Sequence, residues 1–503
     1  MPEPAYRFKF SEMDRCPTAL GYWNIDLLTR YSDALPEQVS LKTMITRRVD
    51  ANIPIMSAAM DDICSSSMLI NLGMLGAIGT ADKGKEGASP DRQIEIVRQT
   101  KRFKQGCINN PLVLAPYSPI DDAIKIWDKF RYKAIPITED GTVHGKLVGM
   151  LKEDPYVLSQ HRGKKVSERM KEPNELLVRS HNISPKEAES IIIESGRNEL
   201  LTIDEAGNLL GMYKLADIRL SSEYPNACKD GKGRLRVAAA IGGPGKDLDE
   251  RLKRLAEAEV DIFCIDTSQG WSRGVGELTL PTVKKDYPDI DVIAGNVDGG
   301  EGAEFLIQKG ADAVKVGIGP SPICRTKRNI GGGMPQLTAI YEAACVARNH
   351  GIPVIADGGI YEIAGDFVKA FAAGASAVMI GSLLAATEET PGEPFTIHGK
   401  SGWFKRYRGM GSKSAQREGS ASRYCQEGKS PDELVSHGVE MAIPCKGPVQ
   451  KEIIKMTDTL RDAMSKYYGC RTIKELNDAN LSFVLVNRSP PEEFPDAVIQ
   501  KEE

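Results

Sequence analysis

One cysteine lies in a loop whose composition is unusual for a structural thiol. Cys324 stands in GIGPSPICRTKRN (residues 317–329), among glycines and prolines and just before Thr326, Lys327 and Arg328. A structural cysteine prefers an apolar core. A partly exposed thiol near cationic side chains can instead have a lowered pKa and act as a nucleophile. The spacing alone leaves open whether Cys324 is a nucleophile or a small buried hydrophobe.

The elements that would position this loop are short apolar runs that alternate with amphipathic helical patterns. Such runs are typical of parallel strands buried on both faces. Eight of them predict an α/β fold, a (β/α)8 TIM barrel, whose active site forms at the carboxyl ends of the strands. An open doubly wound sheet is the alternative. The runs cover residues 53–60, 75–80, 237–242, 261–266, 291–296, 313–319, 353–359 and 377–382.

An internal repeat interrupts the barrel pattern after its second strand. Residues 134–157 align with residues 198–220, and each copy reads strand, Asp- and Gly-containing turn, strand, then an acidic residue that opens a helix. These acidic residues are Asp154 and Asp217. The repeat resembles a tandem CBS pair (a Bateman domain), a module that often binds adenine or guanine nucleotides. The hydroxyl residue that often precedes the Asp by three positions is missing from both copies, so a purely structural module is the alternative.

The bulk composition bounds the remaining possibilities. The chain has 503 residues and a formal net charge of -4, so no basic field favours nucleic acid. Its 10 cysteines form no CxxC pair, which indicates reduced thiols and a cytoplasmic protein. No apolar run is long enough for a membrane span. We expect the barrel to occupy residues 1–102 and 222–503, with the inserted pair at 103–221.

Several motifs along almost the whole chain resemble the IMP dehydrogenase / GMP reductase family. The cysteine loop (residues 317–336) is similar to the family pattern G-x-G-x-x-S-I-C-x-T-R followed by G-x-G-x-P-Q. The inserted pair also lies where the family carries one. The other matching pieces are IPIMSAAMD near the start, IDTSQGWS, AGNV, ADGGI, GSLLAATEETPGE, YRGMGS and SRYCQ.

The resemblance implies NAD-dependent oxidation of IMP to XMP in guanine nucleotide synthesis. Cys324 matches the family's nucleophile, which attacks C2 of the purine while a hydride leaves to NAD+. Thr326 matches the Thr that contacts the hydrolytic water. Arg423 and Tyr424 match the Arg-Tyr pair of a mobile flap (residues 408–438), in which the Arg is the general base. GMP reductases lack this pair, so it favours the dehydrogenase over two alternatives, an NADPH-dependent GMP reductase and a nucleotide-sensing homologue without turnover.

The binding residues follow from strand ends and from the resemblance. A carboxylate at Asp357 can accept both ribose hydroxyls, although a helix N-cap is the alternative. Gly381 and Ser382 can offer N–H groups to a phosphate at a helix N-terminus, or form an ordinary turn. The resemblance adds Gly359, Tyr407, Gly409, Met410, Gly411 and His437 on the substrate side, and Asp266, Ser268, Asn296, Gly317 and Gly319 on the cofactor side. From the residues alone, Asp266, Ser268 and Asn296 could each cap a helix, and His437 could be an ordinary loop residue.

The chain departs from the family pattern at three places. Pro322 stands where the family has a phosphate-binding Ser, and His437 stands where it has Glu or Gln. The resemblance implies a potassium site made of the carbonyls of Gly319, Ser321 and Cys324. The C-terminal segment FVLVNRSPPEEFPD, however, lacks the Glu signature that completes that site from a neighbouring subunit, which weakens the expectation of potassium dependence. The resemblance also implies a homotetramer or octamer.

Overall fold

The computed structural model describes most of the chain as two compact units. One unit comprises Met1–Lys101 and Asn226–Glu503, and the other comprises Arg102–Pro225. The described residues are 7–84, 90–102, 107–108, 111–130, 134–181, 183–245, 247–321, 323–360, 365–424, 426, 428–430, 432–488 and 498–499.

The larger unit contains a parallel eight-stranded sheet that closes on itself, so the predicted (β/α)8 barrel is confirmed. Consecutive strands along the chain are neighbours in the sheet, and a parallel bridge between Met56 and Ile78 joins the first strand to the second. The strands, named first to eighth here, are Ile55–Ser57, Gly79–Ala81, Val237–Ile241, Ile262–Asp266, Asp291–Val297, Ala313–Val316, Val354–Asp357 and Ala377–Ile380.

The strand residues alternate between two hydrophobic layers. Ile262 and Cys264 of the fourth strand belong to the layer inside the barrel, whereas Phe263 and Ile265 pack outward against the helices. This alternation follows from the two-residue repeat of a strand and explains why the runs are apolar throughout. The helices of this layer are Ser66–Met74, Asp91–Arg102, Leu248–Glu257, Leu280–Asp286, Gly300–Gln308, Gln336–Asn349 and Gly365–Ala372.

A buried lysine neutralises two aspartates at the amino end of the barrel. The ammonium of Lys101 donates to Asp230 (2.9 Å) and to both oxygens of Asp261 (2.9 and 2.7 Å). The backbone N–H of Val237 donates to Asp261 (2.8 Å), and Arg234 donates to Asp230 through its backbone N–H (2.9 Å) and its Nε (3.0 Å). All four carboxylate oxygens therefore accept hydrogen bonds, as buried charges require.

Antiparallel strands outside the barrel support both chain ends and the flap. Arg7–Lys9 and Ile25–Leu27 both pair with Ser482–Leu485. Phe404–Arg408 pairs with Glu440–Pro444, and Val498–Ile499 extends that hairpin. The predicted flap is thus an insertion between two paired strands. The helices that follow the hairpin are Val449–Asp462 and Ile473–Asp478.

The smaller unit contains two copies of one helix–hairpin–helix pattern, and these copies coincide with the internal repeat of the sequence. The two hairpins contact each other reciprocally: the N–H of Leu147 donates to Gly207 (2.9 Å), and the N–H of Leu209 donates to Gly145 (3.0 Å). The first copy comprises Ile120–Phe130, Ala134–Thr138, Leu147–Lys152 and Pro155–Ser159; the second comprises Pro185–Ser195, Glu199–Ile203, Leu209–Lys214 and Leu215–Glu223.

The two acidic residues open helices as expected. Asp154 is the N-cap of its helix and accepts the N–H of Tyr156 (3.0 Å), and Asp217 lies in the first turn of its helix. Burial raises the pKa of Asp217, and Lys214 opposes that rise. Among the described helices of both units, none is long and apolar enough to cross a membrane.

Candidate active site

Most of the predicted site residues line one cavity at the carboxyl end of the barrel. It is formed by loops that follow barrel strands and by the two ends of the flap, where a barrel enzyme keeps its active site. Ser268 and Thr326 are not among its lining residues. The predicted residues that line it are Asp266, Asn296, Gly317, Gly319, Ser321, Cys324, Asp357, Gly359, Gly381, Ser382, Tyr407, Gly409, Met410, Gly411, Tyr424 and His437.

Cys324 is half-buried and lines the cavity, so it is not a core thiol. Its backbone N–H donates to the carbonyl of Ser321 (2.9 Å), which tightens the loop before the cysteine. Its thiol lies 3.2 Å from Oγ1 of the buried Thr326, as a hydrogen-bond donor to that hydroxyl. The structure therefore places the buried Thr326 in contact with the predicted nucleophile, and only Cys324 of the two lines the cavity.

The nearest lysine in the loop has a different partner from the one expected. The ammonium of Lys327 donates to the carbonyl of Met334, and Thr326 is the side chain that contacts the thiol. Gly333 has a φ of +116°, and a Cβ there would lie 2.9 Å from Cε of Lys327, so the glycine-rich turn wraps the lysine stem. Burial lowers the pKa of Lys327. The ammonium is thus hydrogen-bonded within the loop, while the nearby Asp298 and Cys324 favour its charged form.

A buried ammonium joins the polar ends of three barrel strands, and sequence reasoning missed it. Lys315 of the sixth strand is 0% exposed and donates to Asp266 (2.8 Å), to Asp357 (2.6 Å) and to Oδ1 of Asn296. The amide of Asn296 also donates to Asp357 (2.8 Å) and to the carbonyl of Gly317 (2.7 Å). Lys315 follows the inward-facing Ala313 by two residues, so strand alternation was the signal that could have found it.

Asp357 ends the seventh strand beside two glycines whose backbone only glycine adopts readily. Gly358 and Gly359 have φ values of +81° and +73°, and a Cβ on either would lie 3.1 or 3.0 Å from Pro320. The next described helix begins at Gly365, so Asp357 is not its N-cap. Among the described residues nothing donates to Oδ1 of Asp357, and this carboxylate is 20% exposed at the cavity wall.

The eighth strand ends in a turn and not in the expected helix. The N–H groups of Leu384 and Ala385 both donate to the carbonyl of Gly381 (3.0 Å each), but Ala386 has a φ of +60°, which ends the helical course at once. A Cβ on Gly381 would lie 3.2 Å from both Met60 and the Tyr407 hydroxyl. Gly381 therefore exposes its backbone to the cavity, while the full dipole of a helix is absent from this turn.

The flap returns to the cavity through a stacked aromatic pair. The rings of Tyr424 and His437 lie 4.8 Å apart at 16°. A Cβ on Gly411 would lie 2.6 Å from the His437 Cβ and 2.9 Å from the Tyr424 ring, so this position requires a residue without a side chain. Burial lowers the pKa of His437, which keeps its imidazole neutral at neutral pH.

Backbone hydrogen bonds hold the cysteine loop against the base of the flap. The N–H of Arg325 donates to His437 (2.8 Å), and the N–H of Val439 donates to Ile323 (2.9 Å). The N–H of Gly409 in turn donates to Val439 (2.9 Å). The loop that carries the thiol therefore lies along the flap hairpin like an additional strand.

A second charged cluster that the sequence did not reveal anchors the flap. Arg408 is 0% exposed and donates to Asp61 and to Glu418 of the flap (2.9 Å). Asp62 pairs with Arg406 (3.2 Å). Burial and the neighbouring Asp61 raise the pKa of Asp62 to about 6. These groups connect the loop after the first strand with the flap.

Three predicted features lie wholly or partly outside the described residues. Pro322 and the segment 489–497 lie outside the described residues, as does the side chain of Arg423. The predicted potassium ligands, the carbonyls of Gly319, Ser321 and Cys324, are neutral oxygens of the kind that bind potassium. The Ser321 carbonyl also accepts the Cys324 N–H at 2.9 Å. Over the described ranges no three acidic, His or Cys side chains form a metal cluster.

Comparisons with known proteins agree with this geometry. The model of the IMP dehydrogenase / GMP reductase domain matches residues 19–493. The inosine-5'-monophosphate dehydrogenase of Aquifex aeolicus is 41% identical over 462 residues, 91% of each chain. That of Halalkalibacterium halodurans is 40% identical over 467 residues, 93% of each chain.

A solved structure shows the same similarity in three dimensions. A Cys-to-Ala variant of GMP reductase from Trypanosoma brucei, in complex with guanosine 5'-monophosphate, superposes with a TM-score of 0.81. It is 30% identical, and the match covers 95% of this chain and 97% of that one. By family model, sequence identity and fold, the chain belongs to the IMP dehydrogenase / GMP reductase family.

Proposed function

We propose that the chain oxidises IMP to XMP with NAD+ as the hydride acceptor. The observation that carries the proposal is that Cys324 and Asp357 face one cavity at the carboxyl end of a family barrel. Relatives that are 40% identical or more over nine-tenths of the chain are named IMP dehydrogenases. The loop cysteine thus has a substrate-binding carboxylate in the same cavity.

The substrate would lie between Asp357 and the turn after the eighth strand. Oδ1 of Asp357 has acceptor capacity left for the ribose hydroxyls, and charge-assisted hydrogen bonds of this kind are the strong ones. The backbone of Gly381 and Ser382 faces the same cavity and offers N–H groups to the phosphate. Tyr407, Gly409, Met410 and Gly411 form the wall on the flap side.

The chemistry divides into a redox step and a hydrolysis. The thiolate of Cys324 bonds to C2 of the purine as C2 loses a hydride, which leaves a covalent thioimidate at the oxidation level of XMP. Water then adds to C2, and the C2–S bond breaks to release XMP and the thiolate. The Thr326 hydroxyl lies 3.2 Å from the sulfur, and we assign to it the contact with the attacking water once the substrate is bound.

Three residues that share the cavity with Cys324 are proposed to hold the nicotinamide cofactor. Asp266, Asn296 and Gly317 line the cavity next to the cysteine loop and supply carboxylate, amide and carbonyl groups. Bound there, NAD+ supplies the electrophilic ring carbon that takes the hydride. Ser268 follows the same strand end and belongs to this side of the proposal. Potassium at the Gly319, Ser321 and Cys324 carbonyls is a further element of the proposal.

We assign the hydrolysis to the flap. Arg423 is proposed as the general base for the water, with Tyr424 beside it. The Tyr424 ring is held over His437 at 4.8 Å, so this part of the flap packs at the cavity wall. His437 itself has an imidazole edge with which it can hydrogen-bond the purine.

An NADPH-dependent reduction of GMP is the second candidate. It is favoured by the TM-score of 0.81 with a GMP reductase that binds guanosine 5'-monophosphate. That reductase is 30% identical to this chain, whereas the A. aeolicus dehydrogenase is 41% identical. The reductase reaction releases ammonia and has no hydrolysis, so Arg423→Ala would leave it intact.

The inserted unit is proposed to be a tandem CBS pair that binds a purine nucleotide. Its twofold repeat and the placement of Asp154 and Asp217 at helix starts support this role. A cleft lined by Lys152, Lys171 and Arg197 offers cationic groups for phosphates, and Glu175 and Glu199 line it too, with Lys152 donating to Glu199 at 2.6 Å. A homotetramer or octamer and a reducing, cytoplasmic environment complete the proposal. The eight cysteines whose side chains the structure describes form no disulfide with one another.

One experiment separates the candidates. Purified protein is given IMP with NAD+, or GMP with NADPH, and nicotinamide absorbance is followed together with ammonia release. We expect NADH to form with IMP, and a quenched reaction to carry a purine adduct on the Cys324 peptide by mass spectrometry. NADPH oxidation with ammonia release would establish the reductase, and nucleotide binding without either reaction would establish a sensor.

A further inference from the structure

Lys315 is an ionisable group buried in a strand that is otherwise apolar. Its side chain is 0% exposed, and it does not line the cavity. An ammonium in such a place is stable only when anionic partners replace its water. The partners it has are the ones proposed to hold the substrate and the cofactor.

The partners come from three different strands. Asp266 ends the fourth strand, Asn296 lies in the fifth, and Asp357 ends the seventh. Nζ of Lys315 lies 2.8 Å from Asp266 and 2.6 Å from Asp357. One ammonium therefore fixes side chains on both proposed halves of the cavity, while it remains behind them.

The contact to Asp357 involves one oxygen only. Oδ2 of Asp357 accepts from Lys315 (2.6 Å) and from Asn296 (2.8 Å). Oδ1 accepts nothing from the described residues, so the ammonium orients the carboxylate and leaves its second oxygen to the cavity. Without that positive charge, Asp266 and Asp357 would be close like charges, and one of them would take up a proton more readily.

We propose that Lys315 is a positioning residue that offsets the charge repulsion between Asp357 and Asp266 and orients Asp357 for the nucleotide ribose, and that it couples Asp357 to the cofactor side through Asp266 and Asn296. The inference rests on the proposed function, which identifies one half of the cavity as the substrate side and the other as the cofactor side. It requires only that a purine nucleotide binds at Asp357, and this requirement is common to the dehydrogenase and the reductase.

The test compares Lys315→Gln, which loses the charge, with Lys315→Arg, which retains it. For Lys315→Gln we expect IMP affinity by calorimetry at pH 7 to fall by about 10- to 100-fold, the usual range for a lost charged hydrogen bond. The loss should shrink as the pH rises, because Asp357 is then ionised again. Lys315→Arg should restore affinity to within about fivefold and give a wild-type pH profile.

A double variant tests the charge argument itself. In Lys315→Gln/Asp266→Asn the neighbouring negative charge is removed together with the ammonium. The pH at which IMP affinity recovers should therefore be lower than in Lys315→Gln alone. If the two variants have the same pH profile, the ammonium does not act through the charge of Asp357 and the inference is overturned.

Lys101→Gln is the matched control, because Lys101 is also a buried lysine with two aspartate partners. It should lower the unfolding midpoint without a pH-dependent loss of IMP affinity. A uniform loss in Lys315→Gln at every pH, with unfolding like that of Lys101→Gln, would show a structural role only. If wild-type protein binds IMP but does not oxidise it, the proposed function fails while the binding comparison still decides this inference.

Discussion

Each end of the barrel has a buried lysine that pairs with two aspartates, but the carboxylate oxygens are fully hydrogen-bonded at one end only. At the amino end, Lys101 meets Asp230 and Asp261, and all four carboxylate oxygens accept hydrogen bonds from the protein. At the carboxyl end, Lys315 also has two aspartate partners, but Oδ1 of Asp357 accepts none from the described residues. One end is saturated, and the other keeps acceptor capacity for a ligand.

The difference shows how one fold separates stability from chemistry. A saturated buried ion pair contributes nothing to binding, and breaking it leaves an uncompensated charge. An incomplete cluster beside a cavity has a carboxylate oxygen that a ligand can bind in place of water. Barrel folds generally keep stabilising residues at the amino end and catalytic residues at the carboxyl end. Lys101 and Lys315 follow this division, since Lys101 lies at the amino end and Lys315 supports the cavity at the carboxyl end.

The largest effect that would sharpen the comparison is expected at the carboxyl end. Cys324→Ala removes the proposed nucleophile, so turnover should fall by at least about 1,000-fold, because no covalent intermediate can form. The unfolding midpoint should stay near that of the wild type, since Cys324 is only half-buried. The measurement is steady-state NADH formation beside thermal unfolding.

Cys345→Ala is the matched thiol control, because Cys345 is exposed. It should retain wild-type turnover. Substantial NADH formation by Cys324→Ala would mean that hydride transfer does not need this thiol.

The next effect is expected at the amino end and concerns stability. Lys101→Met leaves Asp261 and Asp230 buried without their shared cation, and breaking such a pair destabilises a protein by about 3–5 kcal/mol. Denaturant unfolding measures the change. The KM for IMP of the folded fraction should be unchanged, and a raised KM would contradict the separation between the two ends.

A smaller, pH-dependent effect is expected at Asp62, in the cluster that anchors the flap. Burial and Asp61 raise the pKa of Asp62 to about 6, so the folded state binds a proton more tightly than the unfolded chain. Protonated Asp62 therefore makes its full contribution to the free energy of unfolding below about pH 4, and this contribution is lost as the pH rises to about 6. Asp62→Asn should gain about 1–3 kcal/mol over wild type at pH 7.5 and nothing at pH 4.

The check is denaturant unfolding of both proteins across this pH range. Asp122→Asn serves as the control, since this carboxylate lies on the surface of the smaller unit. A constant difference between Asp62→Asn and wild type at all pH values would rule out the assigned ionisation.

The smallest effect is expected at the Tyr424–His437 stack. His437→Phe keeps two stacked rings and His437→Ala does not, so the two variants should differ by about 1 kcal/mol, or fivefold in kcat/KM. Because burial lowers the pKa of His437, the wild-type ring gains charge only at acid pH, and its rate should decline there. His437→Phe should lack that decline, and the pH–rate profiles of the three proteins test this.

The strands could be predicted because each carries its own signal. Runs such as VAAAIG and DIFCID are apolar throughout, so both their type and their burial follow from the sequence alone. The cysteine loop was found by its glycines and prolines. Asp357 could be placed at a strand end, and the structure removes the N-cap alternative because the next described helix begins at Gly365.

The residues that were missed depend on contacts between distant segments. Lys315 is the one polar residue in the run AVKVGIG. Its role follows only from the strand alternation that points its side chain inward and from its ion pairs with Asp266 and Asp357. The Arg408–Asp61 pair joins positions far apart in the chain. For the residues after Ile380 the sequence left a helix N-terminus and an ordinary turn open, and the structure has the turn, with a positive φ at Ala386.

The hairpin beneath the flap has a consequence for how the chain can vary. Arg408 and Glu440 are paired residues, so the two ends of the flap are already neighbours whatever lies between them. Lengthening a loop whose ends are held together costs only about 0.6 kcal/mol per doubling. Insertions and deletions between the two ends of the flap should therefore leave the thiol loop in place, so this segment can change in length without moving Cys324.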